Sequence, residues 1–452
     1  MNEEQQEAVL SLSNTLLIAG AGSGKTFTII NKINYLLDNN IYKEDELLII
    51  SFTNESVNDL KRKINYNIDI KTFHKLSLDL IHTDNIKIAK DNMLNYIIDE
   101  YFNSYLKDHF KAKIRIKRLL LENTKDNLKK LIITFINLYK CNNNDVDKLI
   151  NLVKQSKYIK KDYYLTILEI YLIYNNELKS SGYVDFNDMI LMATNKINNN
   201  EVKTKYKFIM IDEFQDTSLI RLNLIKAILN QNHGTIFAVG DDYQSIYRFS
   251  GCNLNVFIHL DKYIDNLKII KLKYNYRNSQ TLITISNNFI AKNKNQLLKN
   301  SKCPKDLNKP IKIIYYVNKS KVINKLINNI DTNILILGRN NKDILSWNVT
   351  LSDKVKYLTI HKSKGLEEDN VILINLENSN HSMPTKTKDH QIISEILNQD
   401  EYPYEEERRL FYVALTRTRN YIYLLVPKNN PSIFIKELIK DNKKDIEIIH
   451  NY

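Results

Sequence analysis

Nine glycines are spread over 452 residues, roughly 2% where about 7% is usual. Three of them, Gly20, Gly22 and Gly24, fall inside AGAGSGKT (19–26). In a chain that has exchanged glycine for other residues nearly everywhere, such a cluster marks backbone positions where a Cβ does not fit. The run before it, TLLIAG (15–20), is apolar and β-branched, and an apolar stretch with helical spacing follows. Strand, tight loop and helix in that order make a phosphate cradle. Backbone N–H groups converge at a helix N-terminus, Lys25 supplies a point charge to the β- and γ-oxygens, and the Thr26 hydroxyl can ligate Mg²⁺. The expected nucleotide loop is therefore Ala19, Gly20, Ala21, Gly22, Ser23, Gly24, Lys25 and Thr26, with Ala19 standing where the general pattern has glycine.

Such a loop needs a partner carboxylate. FIMIDEFQD (208–216) supplies one at the end of an apolar run: Asp212 to hold Mg²⁺ and Glu213 to polarise the attacking water. Similar runs at ELLIISFT (46–53) and GTIFAVGD (234–241), with helical patterns between, predict an α/β domain with a mainly parallel sheet. A second series at 311–317, 333–339, 355–360, 370–376 and 420–426 predicts a second sheet domain. Between Gly24 and Gly182 no glycine occurs, and no proline precedes Pro304. Helix-like spacing from about 85 to 180 predicts a helical insertion into the first domain. It holds 18 Lys+Arg against 11 Asp+Glu. Its densest run, KAKIRIKR (111–118), reads equally as a solvated helix face and as a nucleic-acid contact.

The whole chain carries 65 Lys+Arg and 52 Asp+Glu, a net charge of +13. A polyanionic partner would exploit that excess through counterion release, and a bias toward Asn, Ile, Lys and Tyr accounts for it equally well. With 43% apolar and 26% charged residues the chain reads as globular. Cys141, Cys252 and Cys303 lie too far apart for a readable disulfide framework or CxxC zinc site. The acidic opening MNEEQQEAVL lacks the basic start of a signal peptide, and no apolar run is long enough to span a membrane. An intracellular protein, cytoplasmic or nuclear, with no membrane partner is expected.

Taken in order, NEEQQEAV (2–9), AGAGSGKT, DEFQD (212–216), VGDDYQSIYRF (239–249), NYR (275–277), TIHKSKGLE (359–367) and EEERRLFYVALTRTR (405–419) resemble the UvrD/Rep/PcrA group of superfamily 1 helicases along nearly the whole chain. The resemblance implies an α/β fold of two RecA-like P-loop domains. The first would cover 1–270, interrupted by the helical insertion at 85–185, and the second 271–452. ATP would lie in the cleft between them. Gln5 would read adenine, Tyr276 would stack on it and Glu367 would contact the ribose. Gln244 would sense the γ-phosphate from the first domain, with Arg277 and Arg417 reaching it from the second. Single-stranded DNA, including junctions with duplex, would contact Phe52, Thr53, Asn54, Thr72, His74, Tyr247, Arg248, Phe249, Thr359 and His361. An accessory repair or replication protein is a further allowed partner.

The sequence departs from the family pattern in four places. Phe249 stands for the usual Trp, Ser250 for Arg, Glu55 for Lys, and HKSKG for HSAKG; the smaller stacking area of Phe249 and the missing Arg imply a weaker hold on the strand. The interval after GRNN (338–341) that houses a large helical subdomain in bigger relatives is only about fifteen residues here, too few for a domain. The implied activity is an ATP-dependent DNA helicase or translocase moving 3′ to 5′. A translocase that strips proteins without unwinding, a nucleotide-gated scaffold and an RNA track stay open at this level. The stretch 381–404 is expected to be a surface loop, and the tail after about 428 short and polar.

Overall fold

The computed structural model describes residues 1–81, 86–90, 92–142, 145–345, 353–397 and 402–450. Part of the short interval that replaces the large subdomain, 346–352, lies outside the described residues. Among the described residues fourteen strands occur in chain order: β1 (Thr15–Ala19), β2 (Leu47–Ser51), β3 (Asp69–Thr72), β4 (Lys87–Ile88), β5 (Tyr183–Val184), β6 (Phe208–Ile211), β7 (Thr235–Gly240), β8 (Lys268–Leu272), β9 (Ile311–Tyr316), β10 (Ile334–Gly338), β11 (Val355–Thr359), β12 (Glu368–Leu373), β13 (Thr418–Pro427) and β14 (Ile446–Ile449).

Twelve of them form two six-stranded sheets, ordered β3-β2-β6-β7-β1-β8 and β11-β10-β12-β13-β9-β14, with parallel pairing throughout. Central strands β1, β2, β6 and β10 are buried along their full length, as a parallel sheet covered by helices on both faces demands. Two apolar clusters flank each sheet, one against either face. All nine strands expected from apolar runs are present. Strands β3, β8 and β14 lie at sheet edges or next to them, where half-exposed positions dilute the apolar signal. The tail is therefore more structured than expected: helix Ile433–Asn442 buries Phe434, Ile435 and Leu438, and β14 joins the second sheet.

The helical excursion leaves and re-enters the first unit beside the two-stranded pair β4/β5. Helices Phe110–Glu122, Lys125–Asn142, Val146–Gln155 and Tyr158–Ser180 bury their own core around Phe135, Tyr139 and Tyr164. Its root is an ion cluster. Fully buried Lys140 donates to Asp185 at 2.5 Å and Asp188 at 2.8 Å, tying the insertion to helix Phe186–Asn198. The stretch 381–404 holds more than a loop: helix Gln391–Ile396 puts Ile392 and Ile393 into the insertion's core. Among the described residues no helix is long and apolar enough to cross a membrane.

Candidate nucleotide and nucleic-acid site

The loop between β1 and helix Lys25–Asp38 turns through Gly22 and Gly24, at φ +68° and +86°. A Cβ on Gly22 would stand 2.5 Å from Arg277 Cβ, and one on Gly24 would stand 2.8 Å from Gln5 Nε2. Gly20 differs from the expectation, since a Cβ there would meet nothing within 4 Å. Gly22 is thus required by the segment after β8 that lies on the loop. Asn275 Nδ2 donates to Ala21 O at 2.6 Å and Tyr276 N to Gly22 O at 2.8 Å.

Lys25 Nζ lies 2.8 Å from Glu213 Oε1. Glu213 follows Asp212 at the carboxyl end of β6 and has left-handed backbone, φ 53°. A non-glycine residue in that region stores strain of order 1–3 kcal/mol and is common at functional sites. Burial acts to raise the Glu213 carboxyl, but Lys25 and Lys364 outweigh it and hold it well below the ordinary range. Burial, reinforced by the neighbouring Glu213 charge, lifts Asp212 to about 6. Burial likewise lifts Asp216 to about 6 against the pull of Lys364.

The opposite wall comes from the second sheet. Arg417, immediately before β13 and almost wholly buried, donates from Nη2 to Gln244 Oε1 at 2.9 Å and from Nη1 to Leu366 O at 3.1 Å. Burial and the nearby Arg277 lower its guanidinium to about 9. Arg277 donates to Glu367, which Arg419 also reaches at 3.0 Å. Lys364 crosses from the second unit to donate to Asp216 at 2.5 Å and to Gln244 O at 2.9 Å.

These groups line one cleft of about 1190 Å³. Of the expected nucleotide residues, Ala21 to Thr26, Asp212, Glu213, Gln244, Tyr276, Arg277, Glu367 and Arg417 border it, and Ala19, Gly20 and Gln5 do not. Gln5 caps helix Glu3–Leu10 with Asn2 and donates to Ser23 O at 3.3 Å, supporting the loop from behind. Tyr276 is 52% exposed and borders the cleft, with its ring stacked near Tyr274 at 6.3 Å and its hydroxyl accepting from Asn2 Nδ2 at 3.2 Å. Thr26 and Asp212 offer hard oxygens on the same cleft. Among the described residues no trio of His, Cys, Asp or Glu gathers as a metal cage. That donor set fits Mg²⁺, which keeps waters and substrate phosphates as its other ligands.

The expected strand contacts divide. Phe52, Thr53, Tyr247 and His361 line the cleft. Phe52 packs on Phe73 at 5.4 Å under the Arg221 guanidinium. Tyr247 donates to His361 O at 3.0 Å, and Phe249, 59% exposed, lies edge-on to His361 at 5.6 Å, so one aromatic group joins both units. Burial, with Arg339 and Lys364 nearby, depresses His361 to about 4, leaving it neutral at pH 7. Thr53 caps helix Asn54–Lys63. Asn54, Thr72, His74 and Thr359 stand outside the cleft; His74 packs on Phe186, and burial followed by Arg221 lowers it to about 4. Arg248 departs most from expectation. Its guanidinium is engaged by Asp389 at 2.7 Å and Glu406 at 3.0 Å, a second-unit contact rather than an exposed one. In KAKIRIKR, Arg115 pairs with Glu169 and Arg118 with Asp162, which leaves Lys111, Lys113 and Lys117 facing solvent.

A family profile for the UvrD/REP helicase N-terminal domain matches residues 1–265, and one for the UvrD-like helicase C-terminal domain matches 336–429. The chain belongs to the UvrD/REP helicase family. Among relatives of this UvrD/REP chain, DNA helicase IV of Escherichia coli is 27% identical over 489 aligned residues, covering 98% of the chain and 70% of the relative. ATP-dependent DNA helicase Rep of Buchnera aphidicola subsp. Acyrthosiphon pisum is 32% identical over 301 residues, 65% of the chain and 45% of the relative. The Escherichia coli protein of that name is 30% identical over 307 residues, 65% and 43%. The UvrD/REP chain spans about half the length of the first curated relatives it matches. Sequence reasoning missed three of its cleft residues, Asp216, Arg221 and Lys364. Asp216 and Lys364 stand inside motifs quoted above, and that position was the available signal.

Proposed function

We propose that the chain is an ATP-dependent DNA helicase or translocase that moves on single-stranded DNA, 3′ to 5′, in repair, replication or recombination. The reading is supported by one observation above all: a single cleft is bordered by Lys25 and Glu213 on one side, by Arg417 hydrogen-bonded to Gln244 on the other, and by Phe52, Tyr247 and His361 as well. The relatives' names, ATP-dependent DNA helicase Rep and DNA helicase IV, support the reaction class. Polarity rests on the resemblance alone.

In this reading the units are 1–270, with its insertion at 85–185, and 271–452. Lys25 leaves Glu213 for the β- and γ-oxygens of ATP. Thr26 and Asp212 would hold Mg²⁺, which would supply neutralisation of phosphate charge. Glu213, freed from Lys25 and still beside Lys364 at 3.6 Å, orients the attacking water. Gln244, Arg277 and Arg417 meet the γ-phosphate when the cleft shuts, so turnover is coupled to closure. Tyr276 and Glu367 receive the nucleoside, with Gln5 supporting the loop. The ribbon 241–249 carries both Gln244 and the strand-facing Tyr247 and Phe249, so phosphate state and grip on DNA change together.

Steady-state ATP turnover by the purified chain, alone and with single-stranded DNA, duplex or RNA, tests this. Strong stimulation by single-stranded DNA is expected, and unchanged basal turnover would overturn it. A second reading, translocation and protein displacement without unwinding, is supported by the short connection from β10 to β11. Robust separation of long duplexes by the isolated chain would exclude it.

A further inference from the structure

The connection between the two sheets supplies a buried lysine that the reading above leaves unused. Lys299, between helix Gln280–Ile290 and β9, is only 6% exposed. Its ammonium donates to Asp241 and, at 2.5 Å, to Asp242 Oδ1, and it lies 3.7 Å from the centroid of the Tyr243 ring. Both carboxylates are fully buried. Two adjacent carboxylates in such a setting cannot both stay ionised without a cation.

Asp241 also controls the sensor. Its Oδ2 accepts from Gln244 Nε2 at 2.6 Å. A side-chain amide has one donor end and one acceptor end, so anchoring Nε2 on Asp241 turns Oε1 toward Arg417, where Nη2 donates at 2.9 Å. The segment bearing Lys299 is pinned in turn. Asp242 Oδ2 accepts from Leu297 N at 2.8 Å, Asp242 O accepts from Gln296 Nε2 at 3.1 Å, and Asn293 Nδ2 donates to Glu405 O at 3.1 Å. Glu405 opens the helix Glu405–Leu415 that leads to Arg417.

We propose that Lys299 is a positioning residue for ATP turnover, fixing through Asp241 the direction in which the Gln244 amide faces and so its meeting with Arg417. This rests on Gln244 and Arg417 being the γ-phosphate pair proposed above.

The test is DNA-stimulated ATP turnover of the full chain carrying Lys299→Met, Gln244→Ala, or both. Lys299→Met is expected to lower kcat tenfold to about a hundredfold, the scale of a catalytic group misplaced by an ångström, with KM for ATP within about twofold of the parent. On the Gln244→Ala background the same change is expected to cost nothing further. Should Lys299→Met not fold, Lys299→Met with Asp242→Asn removes one charge of each sign and carries the same comparison. Wild-type kcat for the lysine variant, or a full additional loss on top of Gln244→Ala, overturns the assignment. Wild-type turnover by Gln244→Ala instead overturns the sensor reading on which it stands.

Discussion

Replacing Gly22 by alanine puts the loop geometry to a quantitative test. The residue sits at φ +68°, where an L side chain costs about 1–2 kcal/mol. The added methyl would stand 2.5 Å from Arg277 Cβ and 3.2 Å from Arg277 N, against the 3.5–4.0 Å at which carbon atoms attract. Arg277 backbone is held by Asn275 Oδ1 at 2.9 Å and cannot swing aside alone. The whole 275–277 segment must retreat by about 1 Å, taking Tyr276 and Arg277 with it. A misplacement of that size costs about 10²-fold in turnover. The strain alone lowers the melting temperature of its unit by a few degrees. Gly20→Ala is the matched control, since its methyl meets nothing within 4 Å, and it is expected to leave both quantities unchanged. ATP turnover and thermal melting of the two variants side by side decide the matter. Equal damage from both, or wild-type turnover by Gly22→Ala, would refute the close-approach argument.

Three further outcomes are expected. Arg417→Ala should lower kcat about 10³-fold, the low end for a phosphate-directed guanidinium; a loss under tenfold would remove it from that role. The acid limb of kcat/KM should lie near pH 6, because Asp212 must be ionised and burial raises it to about 6. Folding responds with the opposite sign: a folded-state value above the unfolded 3.8 binds the proton more tightly, so Asp212 does not destabilise the chain on acidification from 6 to 4. A limb below pH 5 contradicts the assignment. Phe249→Ala should weaken single-strand binding by about 1–3 kcal/mol and Phe249→Trp should strengthen it, both read by fluorescence anisotropy at fixed salt; no change in either would remove this ring from the track.

The central strands were legible because a parallel strand buried on both faces must be a continuous apolar run, as in LLIIS and FIMI. The strands DIKT and KIIKL were not, since each keeps polar or exposed positions that erase the pattern. The glycine-rich loop and the acidic pair could be picked out because a few consecutive residues form each pattern, and the structure sets Lys25 beside Glu213. Lys364 against Asp216 joins residues 148 apart, and Arg248 against Asp389 joins residues 141 apart. No local spacing encodes such pairs. They follow only from how the two sheets face each other, which is also why Arg248 read as a strand contact.

Helix Gln391–Ile396 belongs by sequence to the second unit, yet Ile392 and Ile393 are buried in the insertion, where Tyr164 donates to Glu395 at 2.6 Å. The insertion is therefore moored at its root by Lys140 and at its flank by this helix. When the two sheets swing relative to each other, one mooring must yield or the helical arm must travel along. Under the proposed cycle, closure of the cleft would carry a mechanical signal to a surface remote from the fuel.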